Sequence, residues 1–188
     1  TFAGADVVVD CASQISHTLS VADPFLDVDI NCRGALTVLE AARKACPKAK
    51  LLYASTRGVV GRMKTTPIDE DHPTDPTDLT GINKLAAEKY YMLYGRLYGM
   101  RTTALRINNT FGERGQMKHD DYGVINWFIR CALRHEPITI HGEGHQTRDY
   151  NYVGDVVQAF LLAADNDAAT QQVFWLGSGV QTRQIDMI

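Results

Sequence analysis

The chain has 188 residues, of which 45% are hydrophobic and 22% charged, with a formal net charge of −3. That balance excludes a disordered segment and leaves no basic stripe for nucleic acid. The longest apolar runs, such as Ala159 to Ala164, fall far short of a membrane span. The opening Thr-Phe-Ala-Gly-Ala-Asp lacks the basic start of a signal peptide, so a cytoplasmic protein is expected.

Val7-Val8-Val9 reads as a buried strand, β-branched and without polar alternation. Gly34 to Ala45 predicts a helix with Ala35, Leu36, Leu39 and Ala42 on one side, and Leu51 to Ala54 a second strand ending in Ser55-Thr56. The proline-rich stretch Pro67 to Pro76 is a loop, Gly81 to Tyr98 a long helix and Thr102 to Leu105 a third strand. Ile125, Phe128, Ile129, Ala132 and Leu133 follow the i, i+3, i+4, i+7, i+8 spacing of an amphipathic helix. Ile138 to Ile140 reads as a short strand, Val153 to Ala164 as a helix and Val173 to Leu176 as a last strand.

Strands alternating with helices predict right-handed βαβ crossovers and an α/β fold whose parallel sheet is covered on both faces. Ligands of such sheets sit beyond the carboxyl ends of the strands. Ala12-Ser13-Gln14, Ser55-Thr56 and Asn108-Asn109-Thr110 all occupy that position.

Cys11, Cys32, Cys46 and Cys131 form no CxxC pair and read as reduced thiols. His141 and His145 have the spacing of a helical metal pair, but Gly142 and Gly144 break helical register, so a loop and no metal site is expected. A Gly-x-Gly-x-x-Gly turn between strand and helix, with an acidic residue about 20 positions later, is absent. Gly112-Glu113-Arg114-Gly115 comes too late to serve. A fragment lacking its N-terminal βαβ portion is therefore expected.

Several blocks, in order, carry a resemblance: Asp6 to Ser13, Asn31 to Gly34, Tyr53 to Thr56 with Gly61, Gly81 to Glu88, Leu105-Arg106, Asn109 to Gly112, and Arg148 to Val153. Together they resemble the extended short-chain dehydrogenase/reductase family, in particular its NAD-dependent nucleotide-sugar epimerases and dehydratases. The resemblance implies a Rossmann-like doubly wound sheet with a small C-terminal substrate-binding lobe. Residues 1–112 would be the cofactor-binding portion and 113–188 mainly the substrate-binding portion. It also implies transient oxidation of a nucleotide-diphosphosugar, commonly at C4, by NAD, with NADP also open. Members of the family often dimerise, and the helices from Gly34 and Gly81 resemble the contributors to that interface.

Residue by residue, Thr56 matches the Ser or Thr that hydrogen-bonds the sugar hydroxyl, since a hydroxyl serves both alcohol and ketone. Its structural alternative is a cap on local backbone. In dehydratases the next two residues are an Asp-Glu pair; Arg57 and Gly58 cannot move protons in that way, which favours an epimerase. Lys84 fits the lysine of Tyr-x-x-x-Lys, which holds the nicotinamide ribose, the alternative being an ordinary helix-surface lysine. Thr80 stands where the tyrosine belongs. An aliphatic alcohol starts near water's pKa of ~15.7 and a phenol near ~10, a gap on the order of 7 to 8 kcal/mol. Threonine is also shorter by about a phenol ring, and Tyr90 and Tyr91 lie too far along the helix to replace it. Another group acts as base, the protein is inactive, or the position was altered.

For the cofactor, Cys11, Ala12, Ser13, Asn31 and Ser55 match by position, with Asn31 alternatively a helix N-cap. For the nucleotide sugar, Asn109 and Arg148 match diphosphate contacts and Asn126 the start of a phosphate-facing helix. Ile140 lies on the strand that resembles the nucleobase partner. Arg148 alternatively pairs with Asp149. Gly154-Asp155 replaces the family's Asp-Asp before the last long helix.

Overall fold

The computed structural model describes residues 2–118, 123–140 and 142–188. Its elements in order are β1 (Val7–Asp10), α1 (His17–Ala22), α2 (Pro24–Asp27), α3 (Gly34–Ala45), β2 (Lys50–Thr56), α4 (Leu79–Tyr98), β3 (Arg101–Ile107) and β4 (Asn109–Phe111). They continue with α5 (Val124–Arg134), β5 (Thr147–Arg148), β6 (Tyr150–Tyr152), α6 (Val153–Asp165), β7 (Val173–Leu176) and β8 (Thr182–Arg183). Four parallel strands form the main sheet in the order β1-β2-β3-β7, so every connection is a crossover.

Alternation along the strands builds two cores. Leu51 and Tyr53 face α3 and α4, where they meet Leu39, Ala42, Ala87 and Tyr91. Leu52 and Leu105 face the other way, onto Ala163 of α6 and Ala169. Both faces are thus covered, as the buried apolar strands predict. On β1 only Val8 and Asp10 are buried, while Val7 and Val9 remain 40% and 50% exposed.

Pro24 to Ala45 runs as one helical stretch, with a π turn over Val28–Arg33 between α2 and α3. Helix α4 starts because the Asp78 side chain accepts from Gly81 N at 2.7 Å, and stops at Gly99, whose φ is 66°. A Cβ on Gly81 would stand 2.8 Å from Gly58 O, so this glycine lets α4 press against the turn that follows β2. Gly154 has a similar role: a Cβ there would lie 2.6 Å from the Tyr152 ring, which explains a glycine where an acid was expected. Helix α6 accordingly begins without a side-chain cap.

Beyond the main sheet, β4 pairs in parallel with β6, and β5 pairs antiparallel with β8. One expected element is corrected. Residues 138–140 form no strand; they follow Pro137, which has no N–H to give, and find no ladder partner among the described residues. Of the His141–His145 pair, His141 lies outside the described residues. All four cysteines are free thiols. Among the described residues, no helix is long and apolar enough to cross a membrane.

Candidate active site

The centre of the site is the carboxyl end of β2. Lys84, 5% exposed, reaches from α4 beneath that strand, donates to Ala54 O at 2.6 Å and stands 4.5 Å over the Tyr53 ring. Burial pushes its pKa down to about 8, against the acids Asp10, Cys11, Asp27 and Glu88 that favour the ammonium. It is no surface lysine. Thr56 closes the same strand two residues beyond Ala54, and its Oγ1 accepts from Gly58 N at 3.1 Å. The local-cap alternative for Thr56 is therefore realised, and the hydroxyl proton is left for another acceptor.

Thr80 turns away from this strand end. Its Oγ1 donates to Oδ2 of Asp27 at 3.0 Å. Asp27 is fully buried and also accepts from Gln14 Nε2 at 3.0 Å, Asn31 Nδ2 at 2.9 Å and Asn83 Nδ2 at 2.8 Å. Four neutral donors thus converge on its two oxygens.

Asn31 sits inside the π turn, so it caps no helix start, and the N-cap alternative is corrected. Its Oδ1 accepts from Gln14 N at 3.0 Å and Ser13 Oγ at 2.8 Å, while Nδ2 donates to Gln14 O at 2.8 Å. Asn31 thereby braces the segment leaving β1. Along that segment Cys11 and Ala12 are exposed and Ser13 is half-buried. Ser55 points below the sheet, where its Oγ donates to Glu88 Oε2 at 2.7 Å. Its side chain is committed there, and only its backbone faces the strand end.

A cleft of about 290 Å³ opens beside Arg57, the residue after Thr56, and its wall also includes His17, Asn109, Arg148 and Tyr150. Asn109 is held by donation to Asp149 O at 3.2 Å. Arg148 and Asp149 form no ion pair, which corrects that alternative: the Asp149 carboxylate accepts from Ser178 N at 2.8 Å, Ser178 Oγ at 2.7 Å and Gly179 N at 3.0 Å. Arg148 is exposed. The Arg57 pKa is lowered by burial and then by the Arg148 cation, with Asp78 and Tyr150 acting against them. Two guanidiniums sharing one cleft have the chemistry to take an anion.

Asn126 and Ile140 lie outside this wall. Asn126 is buried in the first turn of α5, where its Oδ1 accepts from Gly112 N at 3.5 Å. Ile140 is half-buried on the unpaired 138–140 segment. Arg57, His17 and Tyr150 went unread as cleft residues from sequence. A cation directly after a strand end was the available signal for Arg57; no local pattern marks the other two.

Residues 1–177 match the NAD dependent epimerase/dehydratase family. The chain belongs to that family. A putative UDP-glucose 4-epimerase of Methanocaldococcus jannaschii is 39% identical over 182 residues, which is 96% of this chain and 58% of that protein. Among family structures, the UDP-glucose 4-epimerase with UDP-glucose from Thermotoga maritima is 35% identical with a TM-score of 0.90, over 96% of this chain and 58% of that one. The Thermus thermophilus UDP-glucose 4-epimerase complex with NAD is 30% identical with a TM-score of 0.86, over 97% and 60%. The chain thus spans 58% of the length of the curated relative from M. jannaschii.

Proposed function

We propose that this chain serves an NAD-dependent epimerase of nucleotide-diphosphosugars, with transient oxidation at one sugar carbon, C4 by analogy with the relatives named above. The carrying observation is the placement of the Lys84 ammonium under β2, on the carbonyl two residues before Thr56, with Arg57 just beyond Thr56 lining a cleft that Arg148 shares. The residues fit a dinucleotide: Cys11 and Ala12 are exposed at the end of β1, where the adenosine ribose and pyrophosphate would pass, and Lys84 is a buried cation at the neighbouring strand for the nicotinamide ribose. When bound, NAD supplies reversible hydride acceptance.

In this reading residues 1–112 take the cofactor and 113–188 most of the sugar nucleotide. Lys84 holds the nicotinamide ribose and Thr56 orients the sugar hydroxyl. Arg148 and Asn109 take the diphosphate, with Arg57 as a second cation on it. Arg57 and Gly58 offer no acid–base pair for water elimination, which favours epimerisation over dehydration.

The test is the purified protein with UDP-glucose and a panel of UDP- and dTDP-sugars, products separated by chromatography and any bound dinucleotide released and identified. An isomerised sugar with NAD unchanged supports the proposal. Bound NAD with no isomerised sugar sinks it and leaves the second reading, a nucleotide-sugar and NAD-binding protein without turnover. That reading is favoured by one observation, the commitment of Thr80 to Asp27.

A further inference from the structure

Resting on the epimerase reading, we infer that His17 is the proton acceptor of the sugar hydroxyl, replacing the phenol that position 80 lacks, with Asp78 balancing the charge it acquires. The inference follows from which proton-accepting side chains reach the cleft. Thr80 donates to Asp27 and does not line it. Tyr91 donates to Asp10 Oδ2 of β1 at 2.7 Å, and Tyr90 takes the Cys32 thiol of the π turn as donor at 3.9 Å; neither lines the cleft. Lys84 is turned onto the Ala54 carbonyl.

Among the described residues, two titratable groups other than arginine line the cleft, His17 and Tyr150. Burial raises the Tyr150 pKa in spite of the Arg148 and Arg57 cations beside it, the wrong direction for a base. Histidine is the side chain built to exchange a proton near neutral pH. His17 stands at the start of α1 on the cleft wall, two-thirds exposed, with Nδ1 3.6 Å from Asp78 Oδ1. That distance is too long for a hydrogen bond and short enough for an ion pair once the ring is protonated. Nε2 is left for the substrate.

Asp78 is fixed by its other task, capping α4 through Gly81 N, two residues before Thr80. The vacated phenol position and the Asp78 carboxylate therefore lie on the same helix start. Asp78 is the carboxylate beside His17, which shares the cleft wall with Arg57, Arg148 and Tyr150.

The step balances. As the sugar O–H bond breaks, His17 Nε2 would take its proton and the carbon–oxygen double bond would form; bound NAD would supply acceptance of the C–H electron pair as hydride and its return, and His17 would give the proton back.

The decisive experiment pairs kinetics with imidazole NMR on the wild type, His17→Gln and Asp78→Asn, the last of which keeps the helix cap. His17→Gln is expected to lose on the order of 10²-fold or more in kcat with little change in KM, together with the acid limb of the pH profile. UDP-glucose should shift the wild-type imidazole signal that His17→Gln removes. His17→Gln within about threefold of wild type in kcat, with its acid limb intact, overturns the inference and leaves the epimerase reading standing. So does an imidazole signal unmoved by saturating UDP-glucose. A wild type that binds no nucleotide sugar overturns both.

Discussion

Thr80 and Asp27 are joined through Thr80 Oγ1 and Asp27 Oδ2 at 3.0 Å, so the residue standing at the phenol position completes the coordination of a carboxylate with no exposed surface. Removing that donor leaves a buried acceptor short of a partner. Thr80→Val should cost about 1 to 3 kcal/mol in urea unfolding, and Thr80→Ser much less. Thr80→Tyr is the informative activity variant. With His17 as base its turnover should stay within about threefold of the parent, whereas a gain of ~100-fold would assign the deficit to position 80 itself.

Below the sheet, Glu88 accepts from Ser55 and, in bidentate fashion, from Arg106 at 3.0 and 2.8 Å, all three being buried. Glu88→Ala strands the guanidinium and should cost roughly 3 to 5 kcal/mol. The double variant Glu88→Leu with Arg106→Met should recover much of that loss. Thermal unfolding of the single and double variants checks the sign.

Lys84 carries a pH signature. Its pKa falls from 10.5 to about 8 on folding, chiefly through burial. Between those values the unfolded chain holds more protons than the folded one, so stability rises with pH through that window. Below about 8 the cost of the buried ammonium is borne in full. Relative to Lys84→Met, the wild type should gain on the order of 3 kcal/mol between pH 8 and 10.5, read as the difference between their urea-unfolding free energies.

Arg148 is exposed and has no carboxylate partner among the described residues, so its truncation should leave stability nearly unchanged. Affinity is another matter. Arg148→Lys loses the planar fork and should weaken UDP binding about tenfold, with Arg57→Gln comparable, by titration calorimetry.

Gly81→Ala tests the approach of α4 to the turn after β2. The new methyl meets Gly58 O at 2.8 Å and Pro76 Cβ at 3.0 Å, so the helix start must move. Thr56 and Lys84 are positioned by that approach. The expected result is a loss of about 1 to 3 kcal/mol with impaired sugar binding, and an unchanged melting temperature would refute it.

The strands and long helices were legible because their burial is periodic: Leu51, Leu52 and Tyr53 alternate between two covered faces, and Ala35, Leu39 and Ala42 line one side of α3. Lys84 was legible through its spacing from position 80. The reach of Lys84 to Ala54 and the partners of Asn31 were not, since these bonds join residues 30 and 17 positions apart. Residues 138–140 show the opposite failure: an apolar β-branched run reads as a strand, yet a strand needs a neighbour to bond, and periodicity carries no information about neighbours. His17 was missed because a lone histidine at a short helix start has no pattern; only the fold brings it against Asp78.

The Trp175 indole Nε1 donates to Asp69 O at 2.8 Å, and Arg106 stacks over its ring at 4.9 Å. One fluorophore is thereby wired both to the long connection preceding α4 and to the buried charge pair under the sheet. Displacing that connection, or breaking Glu88 from Arg106, changes what surrounds the indole, so the molecule carries its own optical gauge of whether the strand-end architecture is assembled.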